Sequence, residues 1–374
     1  MRILQVSKFY PPVLGGIESA AWELTEGLNR AGHRTDVLCS FHRWPGERSR
    51  AEAGYDIIRA GSLGRLLSTS MAPSMPWHLA RLRGAYDIVH VHLPDPLAGM
   101  ACLLGRPTGR LVLHWHSDVV RQRRAMKLYG PLQDWLLRRA DAVVATSQPY
   151  ADSSPALQPW QHKVHVIPIG ISDDRPLVNP ARVQEIRRSV RGRRIVFALG
   201  RMTYYKGFDH LVSAAARLAD DTVVLIGGVG EMAEPLRSRI AREGLAGRVQ
   251  LVGHVPDHEL ADHFEACDVF CMPSTVRAEA YGVAMLEAMV HGKPVIASDI
   301  AGSGVPWVNQ HGLTGYNVAP GDSEALGAAI RRVLDDGPGR QAMGSAARQR
   351  YLHNFTSAAM TAATLDLYQR LTTP

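Results

Sequence analysis

Residues Pro273 to Asp299 read PSTVRAEAYGVAMLEAMVHGKPVIASD. Two carboxylates, Glu279 and Glu287, stand in this stretch with seven residues between them. Glu279 precedes an Ala280-Tyr281-Gly282 turn, and Glu287 lies in the apolar run GVAMLEAMVHG, which predicts a helix. At 1.5 Å rise per residue the two carboxylates are expected about 12 Å apart along one face. That exceeds the roughly 5–10 Å of a glycosidase acid/base pair, and suits two contacts to an extended ligand. Leu286, Ala288 and Met289 crowd Glu287, so its carboxylate is expected to be partly buried and to need a partner. Gly292-Lys293-Pro294 stops the helix, and PVIAS reads as a short buried strand.

Outward from this stretch the chain alternates apolar runs with helical patterns. RILQVS, TDVLCS, YDIIRA, DIVHVH, RLVLHWH, AVVATS and VHVIPIG are strands of a first domain, residues 1–172. A helix from Glu18 to Ala31 follows the first strand and ends at Gly32. The polar, proline-containing ISDDRPLVNP (171–180) is the linker. RIVFALG, TVVLIGG, VQLVGHV, DVFCMP, PVIASD and TGYNV then restart the pattern in a second domain, residues 173–355. The last helical segment, within 356–374, is expected to pack back on the first domain. Alternating β and α units imply mainly parallel sheets, hence an α/β chain of two Rossmann-like βαβ domains facing across a cleft. Ligands of such sheets bind beyond the carboxyl ends of the strands.

A chain of 374 residues with 46% hydrophobic residues fills two cores, and its net charge of +7 favours an anionic ligand or surface. The basic residues form no tail, and neither zinc-finger spacing nor an RNP-like aromatic strand occurs, so nucleic acid is not the expected partner. Four cysteines without a C-x-x-C pair read as reduced, buried thiols of a cytoplasmic protein. MRILQVSKFYPP reads as strand and loop rather than signal peptide, and no apolar run approaches the ~20 residues of a membrane span.

Four further stretches carry chemistry. Gly15-Gly16 lies between the first strand and its helix, where backbone N–H groups can meet an anion; the alternative is a plain βα turn. Arg201 and Lys206, in GRMTYYKG after the strand RIVFALG, suit a diphosphate, against the reading of a solvated basic loop. His90-x-His92 and His114-x-His116 each share a strand face. They invite a zinc reading, but no cysteine or carboxylate has metal spacing, and core histidines are the plainer reading. His116 ends its strand and is the one expected to reach a substrate hydroxyl. Ser298 to Gly304, SDIAGSG, and Gly227 to Gly230 are glycine turns that could cradle phosphate through backbone N–H groups. No Asp-x-Asp occurs in the chain, so no divalent metal is expected to hold the diphosphate and no metal site is expected.

The GGIES loop, HSDVVRQ, GRMTYYKGFDHL, STVRAEAYGVAMLEAMVHGKPVIASD and TGYNVAPGD, in that order, resemble the retaining glycosyltransferases of family four, which have the GT-B fold. The resemblance covers essentially the whole chain. It implies that the first domain serves the acceptor and the second binds the nucleotide sugar. It implies that Glu287 binds the ribose, and that Glu279 meets the transferred sugar near the backbone of Tyr281, Gly282 and Val283. Arg201, Lys206 and Gly16 would hold the diphosphate, His116 would meet the sugar, residues near Val255 would line the base pocket, and Asp118 and Arg121 would lie on the acceptor side. His116, Glu279, Arg201 and Lys206 form the implied catalytic set, with no cofactor. The usual Glu-x-Phe-Gly is here Glu279-Ala280-Tyr281-Gly282, and the usual Gly-Gly-x-Pro-Glu is replaced by Gly302-Ser303-Gly304-Val305-Pro306-Trp307. HSDVVRQ resembles bacterial mannosyl- and rhamnosyl-type enzymes of surface polysaccharide and lipopolysaccharide assembly. It implies GDP-mannose or a GDP-deoxyhexose as donor, with UDP-hexose next, and a polyprenyl-linked glycan as acceptor. A nucleotide-sugar epimerase, a phosphorylase-like enzyme and a non-catalytic sugar-nucleotide-binding protein of the same fold are the alternatives.

Arg121 to Arg139, RQRRAMKLYGPLQDWLLRR, is basic and partly apolar. It is expected either to lie on an anionic membrane, making the enzyme peripheral on the inner face of the cytoplasmic membrane, or to turn Leu132, Trp135 and Leu136 into the first core.

Overall fold

The computed structural model describes residues 1–13, 15–66, 69–119, 123–173 and 178–373. Two compact units emerge, Met1–Ile171 with Thr356–Pro374, and Ser172–Phe355. Each is built on one main sheet.

In the first unit the strands are β1 Arg2–Ser7, β2 Arg34–Ser40, β3 Glu47–Arg50, β4 Asp56–Ala60, the short ribbon β5 Arg65–Leu66 with β6 Thr69–Ser70, β7 Ile88–Leu93, β8 Arg110–Trp115, β9 Ala142–Ala145 and β10 Val164–Val166. They form an eight-stranded sheet in the order β10-β9-β8-β7-β1-β2-β4-β3, with the ribbon separate. The pairing is parallel except for β3 on β4, at the edge. The apolar runs of the sequence mark every parallel strand. β3 escapes such a reading because its residues, ERSR, are mostly charged and largely exposed, as an edge strand allows.

The helix Gly16–Arg30 and the closing helix Ser357–Thr372 pack on this sheet. Leu24 and Leu28 from one, and Met360, Leu367 and Tyr368 from the other, share a core with Ile3, Ile88, Val112 and Val144. Each such side chain, fully buried, contributes about 1.5–3 kcal/mol.

The second unit contains β11 Arg194–Leu199, β12 Thr222–Gly227, β13 Val249–Gly253, β14 Val269–Met272, β15 Val295–Ser298 and β16 Gly315–Val318. All pair in parallel, in the order β13-β12-β11-β14-β15-β16. The chain builds outward from β11 on one side, then returns to lay β14 on the other. The carboxyl ends of β11 and β14 therefore flank the topological switch point, where an open α/β sheet leaves room for a ligand. All four cysteines are buried and free.

The helix Arg123–Arg139 spends part of its apolar face internally. Tyr129, Leu136 and Leu137 are buried. A Cβ added to Gly99 would lie 2.8 Å from Leu136 Cδ1 and 3.3 Å from Leu132 Cδ2, so this helix lies close on the helix Pro96–Gly105. The apolar surface assigned to a membrane from sequence is correspondingly narrower, because these side chains already have a core to fill. Among the described residues no helix is long and apolar enough to cross a membrane.

Candidate active site

The loop after β11 carries Arg201 and Lys206, and the loop after β14 carries Glu279. Their meeting is built by backbone. Thr275 N–H donates to Tyr205 O at 2.8 Å. Gly207 sits at φ +66°, where a Cβ would lie 2.0 Å from Pro273 O. Only glycine permits both that conformation and that approach. On the other flank Gly228, at φ +129°, leaves no room for a Cβ, which would meet Gly200 O at 1.9 Å. Gly200 N–H and Met202 N–H donate to Gly227 O and Val229 O at 3.1 and 2.8 Å. The Gly227–Gly230 turn thus supports the Arg201–Lys206 loop through close packing.

Lys206 Nζ lies 2.6 Å from Glu279 Oε2. Ser274 Oγ donates to the same oxygen at 2.9 Å, and Glu279 is 8% exposed. Burial works against the lysine's charge, but the Glu279 carboxylate and Tyr205 together outweigh it and hold the Lys206 pKa above its ordinary value. Arg201 is exposed and makes no ion pair among the described residues, yet it acts on Lys206 as a neighbouring positive charge. The site therefore has one cation already neutralised by Glu279 and one free to meet an anion.

The expectation of two carboxylates on one helical face does not hold. The helix is Val283–Val290, capped by Gly282 at φ +84°. Glu279 stands before that left-handed residue, so helical rise does not relate it to Glu287. Glu287 is on the helix and half-buried, and among the described residues it has no hydrogen bond or ion pair. Burial, reinforced by the Asp257 carboxylate, pushes its pKa up to about 7. In place of the expected partner it has a raised affinity for a proton. Tyr281 is buried and packs edge-on to Phe355. Val255 is buried beside Gly227, where an added Cβ would lie 3.0 Å from its Cγ2.

The Ser298–Gly304 turn commits much of its backbone to internal bonds. Four of its N–H groups are spent internally: Asp299 on Val318 O, Ile300 on Ser298 O, Ser303 on Ile300 O and Gly304 on Ala280 O. Ser303 Oγ donates to Glu279 O at 2.5 Å. The turn clamps the Glu279 loop. Ser274 and Ser303 were not singled out from sequence, since single serines carry no pattern.

Gly16 opens the helix after β1, with Gly15 extended and both exposed. His90 and His92 on β7 lie beside His114 on β8 and His116 just after it, and the rings of His114 and His116 stack at 4.1 Å. His90 bonds Tyr368 Oη and His114 Nδ1, and His92 bonds Gln5 and His116. Ring nitrogens of His90, His92 and His114 lie within 4.8 Å of one another. All but His114 Nε2 are engaged in these bonds, and among the described residues no carboxylate joins them, so the set does not fit a resident divalent ion. Asp118 Oδ1 accepts from Trp115 Nε1 at 3.0 Å and Ser154 Oγ at 2.6 Å, while its N–H donates to Tyr150 Oη at 2.7 Å. Asp118 thereby braces the loop after His116, a role its charge alone did not signal. Arg121, assigned with it to the acceptor side, lies outside the described residues.

Two doubly wound sheets, the second carrying cations and a carboxylate at its switch point, suit an enzyme acting on an anionic ligand. Comparison with known proteins makes the class definite. Residues 15–170 match the glycosyl transferase 4-like domain, and residues 182–350 match glycosyl transferases group 1. The O-antigen chain mannosyltransferase C of Escherichia coli is 33% identical, over 99% of both chains. The D-rhamnosyltransferase WbpZ of Pseudomonas aeruginosa is 32% identical, over 96% of this chain and 93% of its own. The structure of HepE from Anabaena in complex with UDP superposes with a TM-score of 0.77 at 21% identity, covering 99% of this chain and 100% of that one. Sucrose-phosphate synthase from Thermosynechococcus elongatus gives 0.82 at 22%, covering 99% of each. The chain belongs to the family-four glycosyltransferases, a hexosyltransferase with the GT-B fold, as its motifs implied.

Proposed function

We propose that this enzyme is a retaining, metal-independent transferase that moves a mannosyl or deoxyhexosyl unit from a GDP-sugar to a lipid-linked glycan of bacterial O-antigen synthesis. The observation that carries the reading is the Lys206–Glu279 pair beside free Arg201, at the switch point of the second sheet. The names of the two relatives support the sugar class. As the C1–O bond to diphosphate breaks, negative charge grows on the leaving phosphate. Arg201 and Lys206 stabilise it, each worth about 3–4 kcal/mol if preorganised. Glu279 aligns Lys206 and meets the sugar beside the turn at Tyr281, Gly282 and Val283. The acceptor hydroxyl attacks from the same face, and the leaving phosphate takes its proton. Gly16 serves the diphosphate, His116 the sugar, Val255 the base and Glu287 the ribose. The test is transfer from labelled GDP-mannose, GDP-deoxyhexose and UDP-hexose to a polyprenyl-linked acceptor, with and without EDTA. Full turnover is expected in EDTA. A loss restored by Mg²⁺ or Mn²⁺ refutes metal independence, and transfer from UDP-hexose alone refutes the donor.

Glu287 makes donor binding pH-dependent. A carboxylate accepts both ribose hydroxyl bonds only when ionised, so donor KM should fall as pH rises through about 7. Glu287→Gln should flatten that profile, and Glu287→Ala should mainly raise KM. The linkage to stability runs the same way. The folded protein binds the extra proton between the ordinary glutamate pKa of 4.5 and about 7, so stability falls as pH rises across that window. Glu287→Gln should therefore raise the unliganded Tm at pH 8 more than at pH 5. An equal shift at both values contradicts the assignment.

We also propose peripheral binding to anionic membrane through the segment Arg121–Arg139, whose Lys127 is exposed. Co-sedimentation with anionic vesicles should weaken with salt and on changing Arg121, Arg123, Arg124 and Lys127 to Gln. A wild-type protein that stays in the supernatant at low salt overturns it.

A further inference from the structure

We propose that His92, together with Gln5, is a positioning residue that locks the imidazole of His116 in the tautomer protonated on Nε2, leaving Nδ1 as a hydrogen-bond acceptor for a sugar hydroxyl. The inference rests on the reading that His116 meets the transferred sugar. Its basis is a chain of bonds with a fixed direction. Gln5 Oε1 stands 2.9 Å from His92 Nε2. An amide oxygen only accepts, so His92 Nε2 carries the hydrogen. The amide carbonyl faces His92, while the amide nitrogen is buried and finds no hydrogen-bond partner among the described residues. Burial, then the neighbouring histidines, hold His92 and His116 well below the usual histidine range, so both rings are neutral and each carries one N–H. His92 Nδ1 is therefore bare, and accepts. It lies 2.9 Å from His116 Nε2, which must donate. The remaining nitrogen of His116, Nδ1, keeps its lone pair.

The sequence elements that build this relay are far apart. Gln5 is on β1, His92 ends the inward face of β7, and His116 follows β8. Parallel pairing with His92 opposite His114 brings the rings into one stack, with His92 and His116 at 5.2 Å and 16° between planes. Stacking fixes the ring plane and the Gln5 bond fixes the proton. A ring free to choose its tautomer would spend part of its time with Nδ1–H, which cannot accept from a hydroxyl.

The readout is the protonation of each His116 ring nitrogen by ¹⁵N NMR of the full-length, histidine-labelled protein, assigned by comparison with His116→Ala. In the wild type Nε2 should be the protonated nitrogen. His92→Phe keeps a ring in the stack but removes the acceptor, and Gln5→Leu releases His92 from one step away. Both should introduce the Nδ1–H tautomer and lower kcat/KM by about tenfold or more. His92→Asn, whose carbonyl can accept from Nε2–H, should restore the wild-type tautomer and most of the activity. Protonated Nδ1 in the wild type, or an unchanged tautomer in both His92→Phe and Gln5→Leu, overturns the inference, whatever happens to turnover. Unchanged turnover in His116→Ala instead refutes the sugar contact and leaves the spectrum to judge the relay.

Discussion

Lys206→Ala is expected to lower kcat by about 10²-fold or more, because the lysine stabilises charge that develops mainly in the transition state. It is also expected to destabilise the unliganded protein. Glu279 is buried and bonded to Lys206 and Ser274. Removing one partner of a buried pair leaves the other charge uncompensated, at a cost of about 3–5 kcal/mol. Arg201→Ala should show the catalytic loss without the thermal one, since Arg201 is exposed and unpaired among the described residues. The double variant Lys206→Ala/Glu279→Ala should regain most of the Tm lost in the single lysine variant and none of the turnover. Near-normal kcat in both cation variants would remove the diphosphate assignment. A Tm unchanged by Lys206→Ala would show that the pair is not held in solution.

Gly207→Ala should be comparably severe by a different route. The new methyl group would need to sit 2.0 Å from Pro273 O, a backbone atom that cannot rotate away, at a φ of +66° that alanine resists. Relief requires parting the loop after β11 from the loop after β14, which breaks the Thr275–Tyr205 bond and separates Lys206 from Glu279. The expected loss is about 3 kcal/mol or more of stability, with turnover close to background. Gly282→Ala is the control. Its Cβ would meet the mobile ends of Met272 and Met285, so its cost is chiefly the left-handed φ of +84°, about 1–2 kcal/mol. Equal Tm losses in the two variants would contradict the distinction between backbone and side-chain obstacles.

The strands that build both sheets were legible because buried parallel strands are continuous apolar runs bounded by turn residues. β3 was not, since its pairing depends on β4 and its own residues are mostly charged. The cations after β11 and the glutamate after β14 were legible by position, at strand ends where ligands bind. Their ion pair was not, because strand order is a long-range property. Glycine turns were the least informative. Gly227–Gly230 and Ser298–Gly304 look alike in sequence, but whether an N–H is free depends on which carbonyl it meets. The same limit applies to the histidines: spacing places them on one face, while registration of β7 against β8 determines which nitrogen meets which.

The closing helix has a consequence for biosynthesis. Ser357–Thr372 completes a unit whose other residues end at Ile171. The second unit, Ser172–Phe355, is uninterrupted, so its sheet can assemble while the last helix is still inside the ribosome. The first unit cannot. Met360, Leu367 and Tyr368 seal the apolar face that includes Ile3, Leu24 and Leu28, and Tyr368 supplies the bond to His90. Until those residues emerge, the half of the enzyme translated first is the half that remains unfinished, with its core open to chaperones and proteases.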